Sequence, residues 1–351
     1  MLRLPLPIII AMELTMKNKN KALEVLRRFF LTILFPLAIF LVMLVITRSK
    51  GITYFGFTWE MWRTVLVNTS STAVAALAIW LQIKNGRFDF SGGSVMVLSA
   101  IVAGNLAMRQ GLSPVAYLLI CVAMGAILST LTGVVYIVGR LPIMICTIGM
   151  ALVYESVTYL VFDAKGLNMM SNTKLTAFGR MPLILVPIAL ALTIFLVYCY
   201  LTVPGQRSKL LSNNQQSAVN IGVKEGKNVL QTFFVCGLLL GLASAIYGSN
   251  NTVAPQAGLS TANTLFANII PAYMGLFIGA LSADAIGVLL ASLGMAILNY
   301  GLSCIGLGSG GWQSIIVGVF MLAFYTLMAQ LPLWKAAAAK RKRLKNELNA
   351  A

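Results

Sequence analysis

PVAYLLICVAMGAILSTLTGVVYIV, residues 114–138, carries no charged residue and no histidine. Crossing the roughly 30 Å hydrocarbon core of a bilayer takes about 20 apolar residues in a helix. This stretch is long enough, and FFLTILFPLAIFLVMLVIT at 29–47 repeats the pattern. Working outward, apolar stretches keep recurring, with nearly all charge between or outside them. The expected spans are 29–47, 64–83, 92–108, 113–138, 142–162, 181–203, 228–248, 263–282, 284–306 and 312–333. The expected fold class is all-α: a polytopic membrane helix bundle of about ten transmembrane helices.

Composition agrees, because only 10% of residues are charged against about 25% in soluble domains. Three parts follow. Residues 1–28 form an N-terminal segment in which 21–30 reads as an interfacial helix. Residues 29–333 form the transmembrane domain, and 334–351 a basic tail. The longest polar gap, 204–227, is far too short for a folded soluble domain. The net charge of +17 points to anionic lipid headgroups and the positive-inside rule, not to nucleic acid. With no histidine, imidazole catalysis and imidazole proton relays are excluded. Cys121, Cys146, Cys199, Cys236 and Cys304 lie in apolar segments without a C-x-x-C pair, and read as packing residues.

Basic residues set the expected orientation. Lys17, Lys19, Lys21, Arg27 and Arg28 stand at one end of the chain, and Lys335, Lys340, Arg341, Lys342, Arg343 and Lys345 at the other. Both termini are then cytoplasmic, which requires an even number of crossings. Loop 204–227, with Arg207, Lys209, Lys224 and Lys227, falls inside as well, and loops 48–63 and 163–180 face outward. Met1 to Ala11 is apolar but too short to span, and it lacks a small-residue cleavage site. Met12 and Met16 follow, and Met16 directly precedes the basic stretch. One hypothesis is that translation begins at Met16 and not at Met1 or Met12, and the intact mass of the native protein tells these apart.

Span 92–108 is short, and it follows Asn85-Gly86-Arg87-Phe88-Asp89-Phe90-Ser91-Gly92-Gly93. The paired glycines imply a broken or re-entrant region near 85–93. Irregular backbone at membrane depth is tolerated only inside protein or beside water.

No G-x-x-x-x-G-K-[ST] phosphate loop occurs, so the chain has no P-loop cradle for ATP phosphates. A membrane enzyme needs clustered acids, bases or metal ligands, and the spans supply almost none. They hold neutral polar residues instead: the run Asn68-Thr69-Ser70-Ser71-Thr72, and Asn263, Asn268 and Asn299. Singly, these glue helices together. A whole polar run should also line a wet path. Glu155 is the one acid deep in a span, with structural pairing or snorkelling as its expected role. Asp89 and Asp284 precede helical segments, where a carboxylate caps free N–H groups. Asn213 to Val223 reads as one short polar helix ended by Gly222, suited to a cleft in a partner subunit.

On these residues the chain resembles the permease subunits of bacterial ABC importers, in the ribose/simple-sugar and branched-chain amino acid group. Gly86, Asp89, Phe90, Ser91 and Gly93 resemble the family's Gly-x-x-Asp-[Leu/Phe]-Ser-x-Gly signature. Ser212 to Val223 resembles its cytoplasmic loop through Asn214, Ala218 and Gly222-Val223. Thr147-x-Gly149-Met150 with Tyr154 resembles the fifth span, and Asn299, Gly301 and Gly306 the late spans. The resemblance covers residues 30–332. Three features depart from it: Glu155-Ser156 stands where Arg-Gly is common, no acid lies near Thr264, and Leu281-Ser282-Ala283-Asp284 replaces a Gly-rich turn.

The resemblance implies a non-enzymatic permease subunit in the bacterial inner membrane that pairs with a second copy or a paralogue. Cytoplasmic ATPase subunits would bind ATP and Mg, so this chain needs no cofactor of its own. An extracytoplasmic solute-binding protein would deliver a monosaccharide or similar small polar solute. Asn213, Asn214, Gln216, Ala218, Asn220 and Gly222 would couple to the ATPase. Asn68, Thr69, Ser71, Asp89, Ser91, Gly93, Asn268 and Asn299 would line the translocation path, and no residue is expected to bind metal. Nucleosides or branched-chain amino acids are the alternative solutes. An ion-coupled secondary carrier is the alternative of a different class.

Overall fold

The computed structural model describes residues 6–280, 282–308 and 311–348. It is helical throughout, and among the described residues extended pairing is limited to one bridge, Leu167 with Val253. The long helices are α1 (Leu6–Ser49), α2 (Trp59–Lys84), α3 (Gly92–Arg109), α4 (Pro114–Gly139) and α5 (Ile143–Leu160). α6 (Leu185–Leu196), α7 (Val203–Asn213) and the short α8 (Gln215–Asn220) follow. α9 (Glu225–Asn250), α10 (Ala262–Gly279), α11 (Asp284–Cys304) and α12 (Gly311–Leu348) complete the chain.

Among the described residues, eight helices are long and apolar enough to cross a membrane: residues 28–49 of α1, then α2, α3, α4, α5, α9, α10 and α11. The pair Leu185–Leu201 and Val203–Asn213, bent by 70°, is the candidate for a ninth. The expected last span corresponds to a shorter apolar stretch, Gly311–Leu327, within α12. α1 runs unbroken through 21–30 into the first span, so those residues form no separate helix.

α3 and α9 are the most enclosed helices, whereas α5 and the apolar part of α1 are peripheral. Large apolar side chains such as Phe30, Val45, Leu119, Ile127 and Val138 point outward, as a lipid-facing surface requires. Inside, close helix contact depends on missing side chains. α9 carries Gly237-x-x-x-Gly241, and it runs antiparallel to α4, with Tyr117 bonded to the Ala245 carbonyl and Ser129 to that of Phe233. A Cβ on Gly237 would lie 2.5 Å from the Gly125 carbonyl oxygen, and one on Gly241 2.5 Å from that of Cys121. Small residues at such spacing let backbones approach where no hydrophobic force drives helices together.

Candidate functional site

α2 ends in a Schellman turn. Gly86 takes φ +68°, its N–H donates to the Ile83 carbonyl at 2.9 Å, and that of Arg87 donates to Gln82 at 2.9 Å. The chain then re-enters the bundle. An Asp89 carboxylate oxygen accepts from the Ser91 N–H at 2.8 Å and the Ser91 hydroxyl at 2.7 Å, which fixes the start of α3. The Phe90 N–H donates to the Thr147 hydroxyl at 3.2 Å. Ser91, fully buried, reaches Thr132 at 3.5 Å, and Thr132 lies 3.1 Å from the Tyr154 hydroxyl. Thus the signature loop and the Thr147 and Tyr154 of the fifth span form one polar cluster.

A second irregular segment approaches from the other side. Residues 251–261 join α9 to α10 and are held by α5. The Glu155 carboxylate, fully buried, accepts from the Leu259 N–H at 2.7 Å, the Thr261 N–H at 2.8 Å and the Thr261 hydroxyl at 2.5 Å. One turn away, the Thr158 hydroxyl accepts from the Gln256 N–H at 2.9 Å. Glu155 therefore meets the start of α10 as Asp89 meets the start of α3. A carboxylate at each helix start opposes the positive end of the helix dipole.

The two starts touch. A Cβ on Gly93 would lie 2.4 Å from the Thr261 carbonyl oxygen, and one on Gly92 3.3 Å from Leu265 and 3.8 Å from Leu240. Leu240 is near the middle of α9, so the junction lies midway along a spanning helix. From it the helices diverge. α3 climbs to where Ala100 faces Gly248 and Asn105 donates to the Gly166 carbonyl at 2.8 Å. α10 descends to where Gly279 packs on Asp284, and Asp284 shares a cleft with Lys84 and Lys209. Two helices with converging N-termini beside irregular backbone are a recurrent way to build a transport site.

Beside the junction, Gln82, Phe88, Asp89, Gly92, Cys236, Leu240 and Ile269 enclose a cavity of about 10 Å³, room for about one water. The Gln82 amide is buried, and neither its nitrogen nor its oxygen has a partner among the described residues. Sequence reasoning missed Gln82 because an amide near a helix end reads as ordinary surface. It also missed Thr132, whose role shows only once Ser91 and Tyr154 flank it.

The expected path residues divide. Asp89, Ser91 and Gly93 are at the junction, and buried Asn268 lies on α10, bonded to its own helix at the Thr264 carbonyl. Asn68 is exposed on α2, Ser71 is half-buried, and Thr69 bonds back to the Val65 carbonyl at 2.7 Å. Asn299, far along α11, accepts from Gln313 at 3.2 Å. The structure does not bring these last four to the junction.

At the α8 end, Asn214 caps its helix by accepting from the Ser217 N–H at 3.0 Å. α8 is shorter than the expected 213–223 helix, because Asn213 ends α7. Ala218 is buried against Leu211 and Val223 of its own chain, so it is not free to meet a partner. Asn213, Gln216, Asn220 and Gly222 are exposed, as are Val219 and Ile221, the latter at 71%. Asp284 begins α11, and Leu281 lies outside the described residues.

Residues 61–325 match the family described as branched-chain amino acid transport system / permease component. The chain is similar to the ribose import permease protein RbsC of Escherichia coli (strain K12), 27% identical with 74% of this chain and 82% of that one covered. It is similar to RbsC of Bacillus subtilis (strain 168), 25% identical over 74% and 81%. The D-allose transport system permease protein AlsC of E. coli K12 is 24% identical over 75% and 81%. The match spans the signature loop, the mid-depth junction and the α8 tip together, and the chain belongs to this family of transport-system permease components.

Proposed function

We propose that this chain is the membrane subunit of an ATP-driven ABC importer and forms the translocation path for a monosaccharide or a closely similar polar solute. The observation that carries the reading is the similarity, across most of both chains, to permeases named for ribose and allose. Relatives named for fructose and galactose import point the same way. The junction chemistry supports a neutral solute. Asp89 and Glu155 already oppose the two helix starts, so neither start is left to attract an anion. What remains is hydroxyl and amide hydrogen bonding from Ser91, Thr132, Tyr154 and Gln82.

ATP binding in separate cytoplasmic subunits, with Mg, would shift the permease between conformations. A second copy or paralogue would complete the path, and an extracytoplasmic binding protein would load it. Both termini would be cytoplasmic in a bacterial inner membrane. The exposed α8 tip, with Val219 and Ile221, would dock on the ATPase. Ion-coupled carriers often use a free membrane-embedded acid, and here Glu155 is committed to three donors and Asp89 to two.

Reconstituted vesicles test this. Uptake of ribose or another monosaccharide should need the ATPase, the loaded binding protein and internal ATP, and should persist when the proton gradient is collapsed. Uptake that follows the gradient without ATP would move the protein to the secondary carriers.

A further inference from the structure

The α8 tip and the junction loop are distant in sequence, yet one carboxylate touches both. Gln215, the first residue of α8, donates its amide N–H to Glu225 Oε1 at 2.9 Å. An Arg87 guanidinium nitrogen lies 3.6 Å from the same oxygen. Arg87 is buried, 7% exposed, and its other terminal nitrogen has no partner among the described residues. Two residues on, Asp89 fixes the start of α3. Glu225 thus stands between the cytoplasm-facing tip and the mid-depth junction.

The surroundings make this tie selective. α7 and α9 are fastened to each other by a buried network in which Tyr198, Ser208, Asn228 and Thr232 bond within 3.3 Å. α8 is fastened to α7 through Leu211, Ala218 and Val223. Together α7, α8 and the start of α9 make one unit. A cleft lined by Trp80, Lys84 and Asn85 on one side and Tyr198, Ser208 and Lys209 on the other lies between the end of α2 and α7. The Arg87–Glu225 pair crosses between the unit and the loop that follows α2. An exposed ion pair would contribute little. Here the arginine is buried, and removing its partner leaves an uncompensated charge.

We propose that Glu225 is a positioning residue of the transport cycle: it holds Arg87 and Gln215 together, so that displacement of α8 by the ATPase moves loop 85–91 and the start of α3. This rests on α8 being the docking tip. Two junction states biased from a distant site are what coupling requires.

The test uses the assembled transporter in vesicles, with uptake per ATP hydrolysed as its readout. Glu225→Gln should lower that ratio about tenfold, within the usual range of coupling factors, while the ATPase co-purifies in wild-type amount. The charge swap Arg87→Glu/Glu225→Arg should recover most of the loss, which a merely structural role would not produce. Gln215→Ala, exposed and leaving no buried charge, should give a smaller loss, and it keeps the test valid if Glu225→Gln misfolds. An unchanged ratio in Glu225→Gln and Gln215→Ala, or a swap no better than the single changes, overturns the proposal. Ile221→Asp separates the two readings. If it abolishes ATPase binding while the Glu225 and Gln215 variants stay coupled, only the link fails. If it too leaves ATPase binding and uptake intact, the docking role of α8 fails with it.

Discussion

Glu155 shows how a single residue is read differently once its surroundings are known. Its sequence position allows pairing or snorkelling, and the structure gives pairing, with two backbone N–H groups and one hydroxyl at the start of α10. Each buried donor left unsatisfied costs about 1–3 kcal/mol. Glu155→Ala should therefore destabilise the protein by roughly 2–4 kcal/mol, and Glu155→Gln less, because an amide oxygen still accepts. Thermal unfolding in detergent, followed by size-exclusion of the soluble fraction, should rank wild type above Gln above Ala. An alanine variant as stable as wild type would show that the loop before α10 does not depend on this carboxylate. Ala218 teaches the reverse lesson. Small, and set four residues before Gly222, it reads as a docking contact, but its own chain covers it. Bulk there disrupts α8 itself, so partner contact is better tested at exposed Ile221.

At the scale of elements, apolar length made most helices legible, since about 20 residues without charge have few alternatives to a spanning helix. Gly92-Gly93 after a polar run exposed the break before α3. The matching break at 251–261 was not legible as a descent into the bundle. Its Pro255 and Gly258 read as an ordinary loop, and depth is not encoded in composition. The 70° bend after Leu201 was missed for a similar reason, because apolar character continues up to it. Gly237-x-x-x-Gly241 was legible in principle, but its partner Gly125 was not, because pairing of distant helices leaves no local pattern. The α4–α9 contact gives a prediction of its own. A Cβ at Gly237 would meet the Gly125 carbonyl oxygen at 2.5 Å and the Ala126 Cα at 2.7 Å. Neither atom can rotate away, since both are backbone. Overpacking of this kind costs about 1–3 kcal/mol, and Gly237→Leu should exceed Gly237→Ala. The pair should lower the yield of folded, monodisperse protein in that order, whereas Gly149→Ala, with open space around its Cβ position, should not.

For the whole molecule, the question is which end of the bundle faces the cytoplasm. The structure orders the ends without naming them. α8, the starts of α5, α9 and α11 and the ends of α2 and α4 gather at one end, as Glu225, Arg87, Tyr136 and Arg140 show by proximity. Residues 162–183 and the bridge from Leu167 to Val253 mark the other. Counting the bent pair and the shorter apolar start of α12 as crossings beside the eight candidate spans makes the predicted total even, with both termini on one side. The charge pattern then predicts the side. Lys209, Lys224 and Lys227 flank α8 in sequence, and the predicted even count places the basic residues of both termini on the same side. Lysine and arginine excess marks the cytoplasmic side. Met170 and Gln215 are both exposed and lie at opposite ends. In a background with Cys199 and Cys304 replaced, because these are only partly buried, Met170→Cys should react with an impermeant maleimide on intact cells. Gln215→Cys should react only after permeabilisation. Labelling of both from the same side would break the even count. The reverse pattern would keep the count but invert the bundle, placing α8 where no cytoplasmic ATPase could reach it.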